Sequence, residues 1–349
     1  MLMQVQNLSV GIGSVQPLSG ISFAVDRGEI LGLVGESGSG KSLTALAITG
    51  LLPLIGGRIT AGSVTFDGID LTRLPESRLR LLRGRRIAFI TQNPMTALDP
   101  VQRIGPQIDV VAQMHLRLSR SAARARTVDL LTRLRIPEAA AICDAYPHQL
   151  SGGMKQRIVI AMALAGDPDL IVADEPTTAL DVTVQAQIIH ILATLVKDRG
   201  LALILITHDM GVVAQICTSV AVLYAGRLAE ARAVRPLFAA PAHPYTAALI
   251  GCIPRPDMTP GALTGIPGAV PGVARYPAGC RFHPRCPRAT ARCQTEAPAP
   301  TAIPGGAVAC HLVNVAAEIK NPARTLWALF SDTETSRAGS LDGHCCSAT

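Results

Sequence analysis

The stretch that most constrains this chain is Gly35–Ser42, which reads GESGSGKS. The apolar run Ile30–Val34 precedes it and predicts a short buried strand, and Leu43–Ile48 follows it and predicts the start of a helix. Strand, glycine-rich turn and helix form the setting in which the pattern G-x-x-x-x-G-K-[ST] binds phosphate. A chance glycine-rich turn is the alternative, and the flanking elements argue against it. The sequence therefore predicts a P-loop.

The residue types of this loop fit phosphate chemistry. Glycines let successive backbone N–H groups face a phosphate chain, and the helix N-terminus adds a positive dipole end. Lys41 is placed to reach the β- and γ-phosphates of a bound nucleotide, and the Ser42 hydroxyl to bind Mg²⁺. The other residues expected to line the phosphates are Gly35, Ser37, Gly38 and Gly40.

The length and composition predict a protein of several domains. At 349 residues the chain exceeds the usual limit of one core, so we expect two or three domains. A hydrophobic fraction of 48% with 3% aromatic residues is typical of an α/β protein. No apolar run reaches membrane-spanning length and the N-terminus has no signal-peptide pattern, so we expect a cytosolic location.

The charge is basic, with a formal net charge of +7. Such a charge permits attraction to nucleic acid or to an anionic membrane, and a solvated basic face is an equally good interpretation. Arginines are interleaved in the helical pattern of Gln107–Ile136, but that region lacks the aromatic side chains on which bases stack. We therefore expect no nucleic-acid partner.

Polar residues follow several short apolar strands that alternate with helices. This alternation predicts a parallel sheet with its site at the carboxyl ends of the strands. Asp174 is expected to hold Mg²⁺, and Glu175 to polarise an attacking water, although two adjacent carboxylates could also cap a helix or line a solvated turn. Gln92 could bind Mg²⁺ or orient water. His208 could contact the γ-phosphate, although a lone histidine is more often structural.

Further patterns outline the remaining elements. We expect an antiparallel layer at the N-terminal end, a helix that Ser151 caps and that runs to about Ala165, and a closing hairpin around Ala225-Gly226. The strands expected in the antiparallel layer are Met3–Val10, Ile21–Val25 and Ser63–Phe66. The expected helical segments are Arg73–Arg86 and Gln107–Ile136, and the expected hairpin arms are Val220–Tyr224 and Arg227–Glu230.

The sequence LSGGM at Leu150–Met154 identifies a family. With it, the chain resembles the ATP-binding subunit of an ABC transporter over about residues 1–230. The motifs of the resemblance, in family order, are Walker A at Gly35–Ser42, the Q-loop at Gln92, the signature at Leu150–Met154, Walker B at Ile171–Asp174 with Glu175, the D-loop at Ala179–Asp181 and the H-loop at His208. The resemblance implies an α/β fold, a RecA-like P-loop NTPase core with an antiparallel β layer and a helical subdomain.

The resemblance also implies shared ATP sites. In the family, two such subunits bind two ATP molecules head to tail. Ser151, Gly152 and Gly153 would then contact ATP on the partner's P-loop, and Asp181 would help couple the two sites. The helices between Gln92 and Ser151 would dock on the membrane-embedded subunits.

One departure concerns adenine. Family members usually stack an aromatic side chain from the end of the first strand on the base. This chain has none in Val10–Gly13, and Ile12 is the nearest candidate. We expect aliphatic and weaker packing of adenine.

The region after the hairpin resembles the Cys/Pro-rich extension of oligopeptide/dipeptide importer ATPases. The resemblance rests on His243–Thr246, Ile266–Gly268 and the sequence GCRFHPRCP at Gly279–Pro287. We expect an ABC domain over 1–230 with its helical subdomain at about 95–165, this extension over 231–318, and a largely disordered tail over 319–349 whose Leu326–Phe330 could form a short amphipathic helix.

Four cysteines of the extension have the spacing C-x5-C-x6-C-x16-C: Cys280, Cys286, Cys293 and Cys310. In a cytosolic protein such a group suggests metal before disulfides, and four thiolates suit an iron–sulfur cluster or Zn²⁺. The subfamily's extension implies a [4Fe–4S] cluster, with zinc or unliganded thiols as alternatives. Because the cysteines lie outside the ATP motifs, we expect a structural or redox-sensing role.

The resemblance as a whole implies an ATPase that energises import of di- or oligopeptides from the cytoplasmic face of the inner membrane. Its expected partners are a second ATP-binding subunit, by resemblance a paralogue, two transmembrane permease subunits and, indirectly, an extracytoplasmic solute-binding protein. Nickel or another small solute is the alternative cargo. A soluble ABC ATPase acting on nucleic acid or ribosomes is the third hypothesis.

Overall fold

A computed structural model describes residues 1–178, 180–254, 258 and 265–313. The expected tail, including Leu326–Phe330, lies outside the described residues. The strands are β1 Met3–Ile12, β2 Val15–Val25, β3 Ile30–Val34, β4 Gly57–Phe66, β5 Ile69–Asp70, β6 Ile87–Ile90, β7 Leu170–Asp174, β8 Ala202–Thr207, β9 Ser219–Tyr224, β10 Arg227–Ala233, β11 Thr301–Ile303 and β12 Gly306–Val308. Short 3₁₀ turns cover Leu52–Ile55, Leu71–Arg73, Pro147–Gln149, Val273–Arg275 and His283–Arg285.

The α-helices lie between these strands along the chain. They are α1 Lys41–Ile48, α2 Glu76–Leu82, α3 Pro94–Ala97, α4 Ile104–Leu116, α5 Arg120–Arg133, α6 Ala139–Ile142, α7 Gly152–Ala165, α8 Val182–Arg199, α9 Met210–Ile216, α10 Val234–Ala239, α11 Pro244–Gly251 and α12 Ala291–Thr295. Helices α4, α5 and α7 pack on one another. In chain order they lie between β6, which precedes Gln92, and β7, which ends at Asp174.

The larger sheet has the strand order β11-β12-β10-β9-β3-β8-β7-β6. Its five strands from β9 to β6 are parallel, and the hairpin β9–β10 and the strands β12 and β11 extend it antiparallel. Every residue of β3, β7 and β8 is buried, as expected for parallel strands covered on both faces. The predicted parallel sheet and closing hairpin are confirmed.

A second sheet holds the N-terminal strands in the order β2-β1-β4-β5, with antiparallel pairing throughout. The predicted antiparallel layer is therefore confirmed. It shares a core with α1 and with one face of the larger sheet, through residues such as Leu8, Ile48 and Leu33.

Two predicted helices differ from the observed ones. The periodic stretch Gln107–Ile136 is broken where Arg117 takes a left-handed backbone conformation with φ 55°, so α4 and α5 form a hairpin. The helix predicted over Arg73–Arg86 is limited to α2, because Pro75 and Arg83 take extended conformations at its two ends.

Parts of the described region after residue 233 pack into the main body. Tyr245 and Phe282 are buried in the core that contains the parallel sheet. Among the helices of the described residues, none is both long and apolar enough to cross a membrane.

Candidate active site

The P-loop connects β3 to α1, and at Gly35 and Gly40 it has no room for a side chain. A Cβ on Gly35 would come within 2.2 Å of the Leu223 carbonyl oxygen, and one on Gly40 within 2.5 Å of the Leu18 side chain. Gly40 also has φ 105°, which L side chains rarely adopt. These two glycines let the loop lie close against β9 and β2.

Lys41 opens α1 and is buried. Its Nζ donates to the Gly35 carbonyl at 2.7 Å and to the Glu36 carbonyl at 3.1 Å. Burial lowers the pKa of Lys41, and the charges of Glu175 and Asp174 oppose that effect. The ammonium group is thus held at the loop and faces two carboxylates across the site.

The residues present fit Mg²⁺. Asp174 is 7% exposed, and its Oδ1 is buried without a hydrogen-bond partner. Burial raises the pKa of Asp174, while a hydrogen bond from Ser42 acts to lower it. An orphaned carboxylate oxygen beside a hydroxyl is a hard donor set, and Mg²⁺ commonly takes one or two such protein ligands together with phosphates and water.

Glu175 follows the end of β7 with φ 45°, an uncommon conformation for a non-glycine residue that is often found at functional sites. Three side chains surround its carboxylate. Gln92 Nε2 donates to Oε2 at 3.0 Å, Thr178 Oγ1 donates to Oε2 at 2.8 Å, and His208 Nδ1 lies 3.4 Å from Oε1. The carboxylate is therefore fixed in direction.

The same contacts set the charge of Glu175. Burial acts to raise its pKa, but the hydrogen bond from Thr178 and the proximity of His208 and Lys41 outweigh it, so the pKa lies below the ordinary glutamate value. The carboxylate is ionised at neutral pH and can accept a proton from water.

The sheet order explains why these residues meet. Strands β3, β8, β7 and β6 are neighbours in that order, and at their carboxyl ends they carry the P-loop, His208, Asp174 with Glu175, and Gln92. The structure thus brings Gln92, Asp174, Glu175 and His208 to the edge that holds the P-loop.

The signature lies elsewhere. Ser151 caps α7 by accepting from the Met154 N–H at 3.3 Å, and the side chains nearest a Cβ on Gly152 or Gly153 belong to Leu180 and Val184. Among the described residues, no hydrogen bond joins the signature to the P-loop. Within one chain these predicted site residues are not brought together.

Two further predicted residues have structural contacts. Asp181 caps α8 by accepting from the Val184 N–H at 2.9 Å. Ile12 ends β1, half-buried, opposite Gly57 and Val15. Ala179 of the predicted D-loop lies outside the described residues.

Cys280, Cys286, Cys293 and Cys310 are free and lie near one another. The other three cysteines are close enough to help raise the pKa of Cys310, and Cys293 and Cys286 have the same effect on Cys280. Burial raises the pKa of Cys280, Cys286 and Cys310 above the ordinary thiol value. However, the described residues contain no group of three or more His, Cys, Asp or Glu side chains arranged to hold a metal ion. The predicted iron–sulfur site is unsupported by this arrangement.

The cysteine segment lies outside the ATP motifs in sequence but contacts one of them in the fold. Arg285, one residue before Cys286, forms an ion pair of 2.8 Å with Glu36 of the P-loop. Thr178 beside Glu175 is a second residue absent from the sequence-based site. A hydroxyl three residues after a strand-end glutamate is a usable local signal, whereas nothing near Arg285 points to a residue 249 positions away.

Comparisons with known proteins agree with this architecture. Residues 18–178 match the family model described as ABC transporter, and residues 229–293 match the model described as oligopeptide/dipeptide transporter, C-terminal region. The solved dimeric post-hydrolysis state of the ATP-binding cassette MJ0796, bound to ADP and Pi, superposes with a TM-score of 0.60 at 28% identity, covering 67% of this chain and 99% of that one.

Curated relatives cover nearly the whole chain. The dipeptide transport ATP-binding protein DppD of Escherichia coli (strain K12) is 45% identical over 315 residues, which is 89% of this chain and 96% of the relative. The oligopeptide transport ATP-binding protein OppD of Salmonella typhimurium is 46% identical over 313 residues, 88% of this chain and 93% of the relative. The chain belongs to the family of ABC transporter ATP-binding subunits that includes these dipeptide and oligopeptide transport proteins.

Proposed function

We propose that this chain hydrolyses ATP to energise the import of dipeptides or oligopeptides. The observation that carries the proposal is Glu175, an ionised carboxylate oriented by Gln92, Thr178 and His208 at the sheet edge that holds the P-loop. The peptide cargo comes from the relatives' names and from the matched C-terminal region.

The chemical step needs a base for water. Glu175 accepts a proton from the water while the water oxygen forms a bond to the γ-phosphorus. The bond between that phosphorus and the β–γ bridging oxygen breaks. ADP and inorganic phosphate leave. Lys41 binds the phosphates, and Gln92 and His208 keep the Glu175 carboxylate directed at the water. Ser42 and Asp174, with Gln92 as a further candidate, would hold Mg²⁺, which would neutralise charge on the phosphates.

The site is completed by a second ATP-binding subunit. Ser151, Gly152 and Gly153 begin a helix, and a helix N-terminus binds anions, so they are the groups proposed to meet ATP on the partner's P-loop. Asp181 is proposed to couple the two sites. The partner is proposed to be a paralogue.

The chain is proposed to sit peripherally at the cytoplasmic face of the membrane. Helices α4 and α5 and their neighbours at 95–165 are proposed to dock on two permease subunits, which receive peptide from an extracytoplasmic solute-binding protein. What supports this placement is the family similarity over most of the chain. Adenine is proposed to pack against the aliphatic side chain of Ile12.

The four cysteines are proposed to hold a [4Fe–4S] cluster, with Zn²⁺ as the alternative. The support is the number and spacing of the four cysteines, C-x5-C-x6-C-x16-C, three of which lie in the region that matches the oligopeptide/dipeptide transporter C-terminal model. Iron and acid-labile sulfide analysis of anaerobically purified protein tests this. Zinc without iron would favour the alternative, and neither metal would reject both.

ATP turnover by the purified chain, alone and assembled with its partners, tests the main proposal. Lys41→Ala removes the phosphate-binding ammonium group, so we expect ATP affinity to fall at least tenfold. Lys197→Ala, at the distant end of α8, serves as the control. Equal affinity of the wild-type and Lys41→Ala proteins would contradict the role given to this loop.

A further inference from the structure

The cysteine-bearing extension contacts the P-loop through one arginine. Arg285 Nη1 lies 2.8 Å from Glu36 Oε2, and Nη2 lies 2.9 Å from Oε1, so the two side chains meet in a bidentate fork. The Arg285 side chain is 6% exposed and that of Glu36 is 28% exposed. A bidentate, largely buried pair of this kind fixes both partners in direction as well as in distance.

All the N–H donors of Arg285 have hydrogen-bond partners. Its Nε donates to the Pro267 carbonyl at 2.7 Å, Nη2 also donates to the Ile266 carbonyl at 3.1 Å, and Nη1 also donates to the Tyr224 hydroxyl at 3.3 Å. Together with the two bonds to Glu36, these contacts use all five N–H donors of the guanidinium. The side chain is therefore preorganised before any ligand binds.

The backbone of Glu36 is held from the same side. The hydroxyl of Tyr245, a side chain with no exposed surface, accepts from the Glu36 N–H at 2.9 Å. Tyr245 packs against Phe282, with ring centroids 5.2 Å apart. Both aromatic residues belong to the region after the hairpin, so two separate segments of that region hold one residue of the P-loop.

Glu36 is coupled to the phosphate-binding lysine. Its carbonyl accepts from Lys41 Nζ at 3.1 Å, and its carboxylate is close enough to oppose, in small part, the burial that lowers the pKa of Lys41. If Arg285 were removed, the unpaired carboxylate could attract the ammonium group away from phosphate and would repel the phosphates directly.

We propose that Arg285 is a positioning residue of the ATP site, which acts from the extension by holding and neutralising Glu36. The inference rests on the proposed ATP hydrolysis and adds that ATP binding depends on the turn between Cys280 and Cys286. The alternative is that Arg285 only attaches the extension to the main body of the protein. The two interpretations differ in what they predict for ATP affinity. Loss of a residue that only anchors the extension would leave the ATP affinity of the folded protein unchanged.

The test measures the affinity of the full-length chain for trinitrophenyl-ATP, with displacement by ATP, for five variants. Arg285→Gln should weaken ATP binding at least fivefold, and Arg285→Lys, which keeps the charge but not the fork, should recover part of the loss. Arg292→Gln is the matched control, because this exposed arginine of the same extension pairs with Glu296, four residues further on and also exposed. It should bind as the wild type does.

Glu36→Gln separates positioning from anchoring. In that background the carboxylate charge is gone, so Arg285→Gln should cost less than twofold in affinity. Wild-type affinity in Arg285→Gln, with unchanged circular dichroism, would overturn the inference, and so would an equal loss in both backgrounds. If wild type binds and hydrolyses ATP, those results leave the proposed function standing, whereas a wild-type chain that does not bind ATP would overturn both.

Discussion

Gln92 and Glu175, which are 83 positions apart, are joined by a hydrogen bond of 3.0 Å from Nε2 to Oε2. The bond links the ends of two adjacent parallel strands, β6 and β7. The stretch after Gln92 leads into α3 and α4, the helices proposed to dock on the permease. A movement of those helices can therefore reach the carboxylate proposed as the base through a single amide.

Glu175→Gln should abolish turnover while keeping ATP bound, because an amide cannot accept a proton from water but preserves the shape of the side chain. We expect kcat to fall by roughly 10²–10⁴-fold, the usual contribution of a general base. Glu296→Gln, a change to an exposed glutamate in the extension, is the control. Turnover near the wild-type rate in Glu175→Gln would remove this residue from its role.

Asp174→Asn should weaken the response to Mg²⁺, because it removes a buried negative charge whose Oδ1 has no protein partner. We expect the Mg²⁺ concentration that gives half-maximal ATPase activity to rise about tenfold or more. A titration of activity against Mg²⁺ at saturating ATP measures this. An unchanged midpoint would show that Asp174 is not a magnesium residue.

His243 should make folding stability depend on pH. It is buried at the start of α11, its Nδ1 accepts from the Tyr245 N–H at 3.0 Å, and burial lowers its pKa to about 4. Between pH 6.5 and 4 the unfolded chain therefore binds a proton that the folded chain does not, so stability falls as the pH falls. The loss from this group between pH 8 and pH 5 is about 2 kcal/mol.

His243→Asn isolates that contribution, since asparagine can cap the same helix without titrating. Urea unfolding at pH 8 and pH 5 should show a smaller pH dependence for the variant than for the wild type. Equal pH dependence in the two proteins would mean that His243 is not held neutral by the fold.

The thiols of the extension should react slowly at neutral pH. Burial raises the pKa of Cys280, Cys286 and Cys310, so a smaller fraction is thiolate, the reactive form. In chelator-treated protein we expect alkylation by iodoacetamide at pH 7.5 to be at least about threefold slower than for a free cysteine, and to accelerate with rising pH. Peptide mapping by mass spectrometry separates the sites. Reaction at the rate of free cysteine would contradict the burial of these thiols.

Local patterns predicted the strand–loop–helix at Gly35–Ser42, the parallel sheet and the polar residues at its edge, because each depends on neighbours in sequence. The break at Arg117 was missed, because helical periodicity continues on both sides of a two-helix turn. Strands β11 and β12 were missed because each has only three residues and pairs at the sheet's edge. The contact of Arg285 with Glu36 depends on tertiary packing alone, and no local pattern encodes it.

Peptide uptake into proteoliposomes tests the central claim most directly. The vesicles would contain the permease subunits, both ATP-binding subunits and ATP, with solute-binding protein and a labelled dipeptide on the other side. We predict uptake that requires ATP and is lost with Glu175→Gln in this chain. Dipeptide uptake that is unaffected by Glu175→Gln, or ATP-dependent uptake of nickel but not of peptide, would contradict the account.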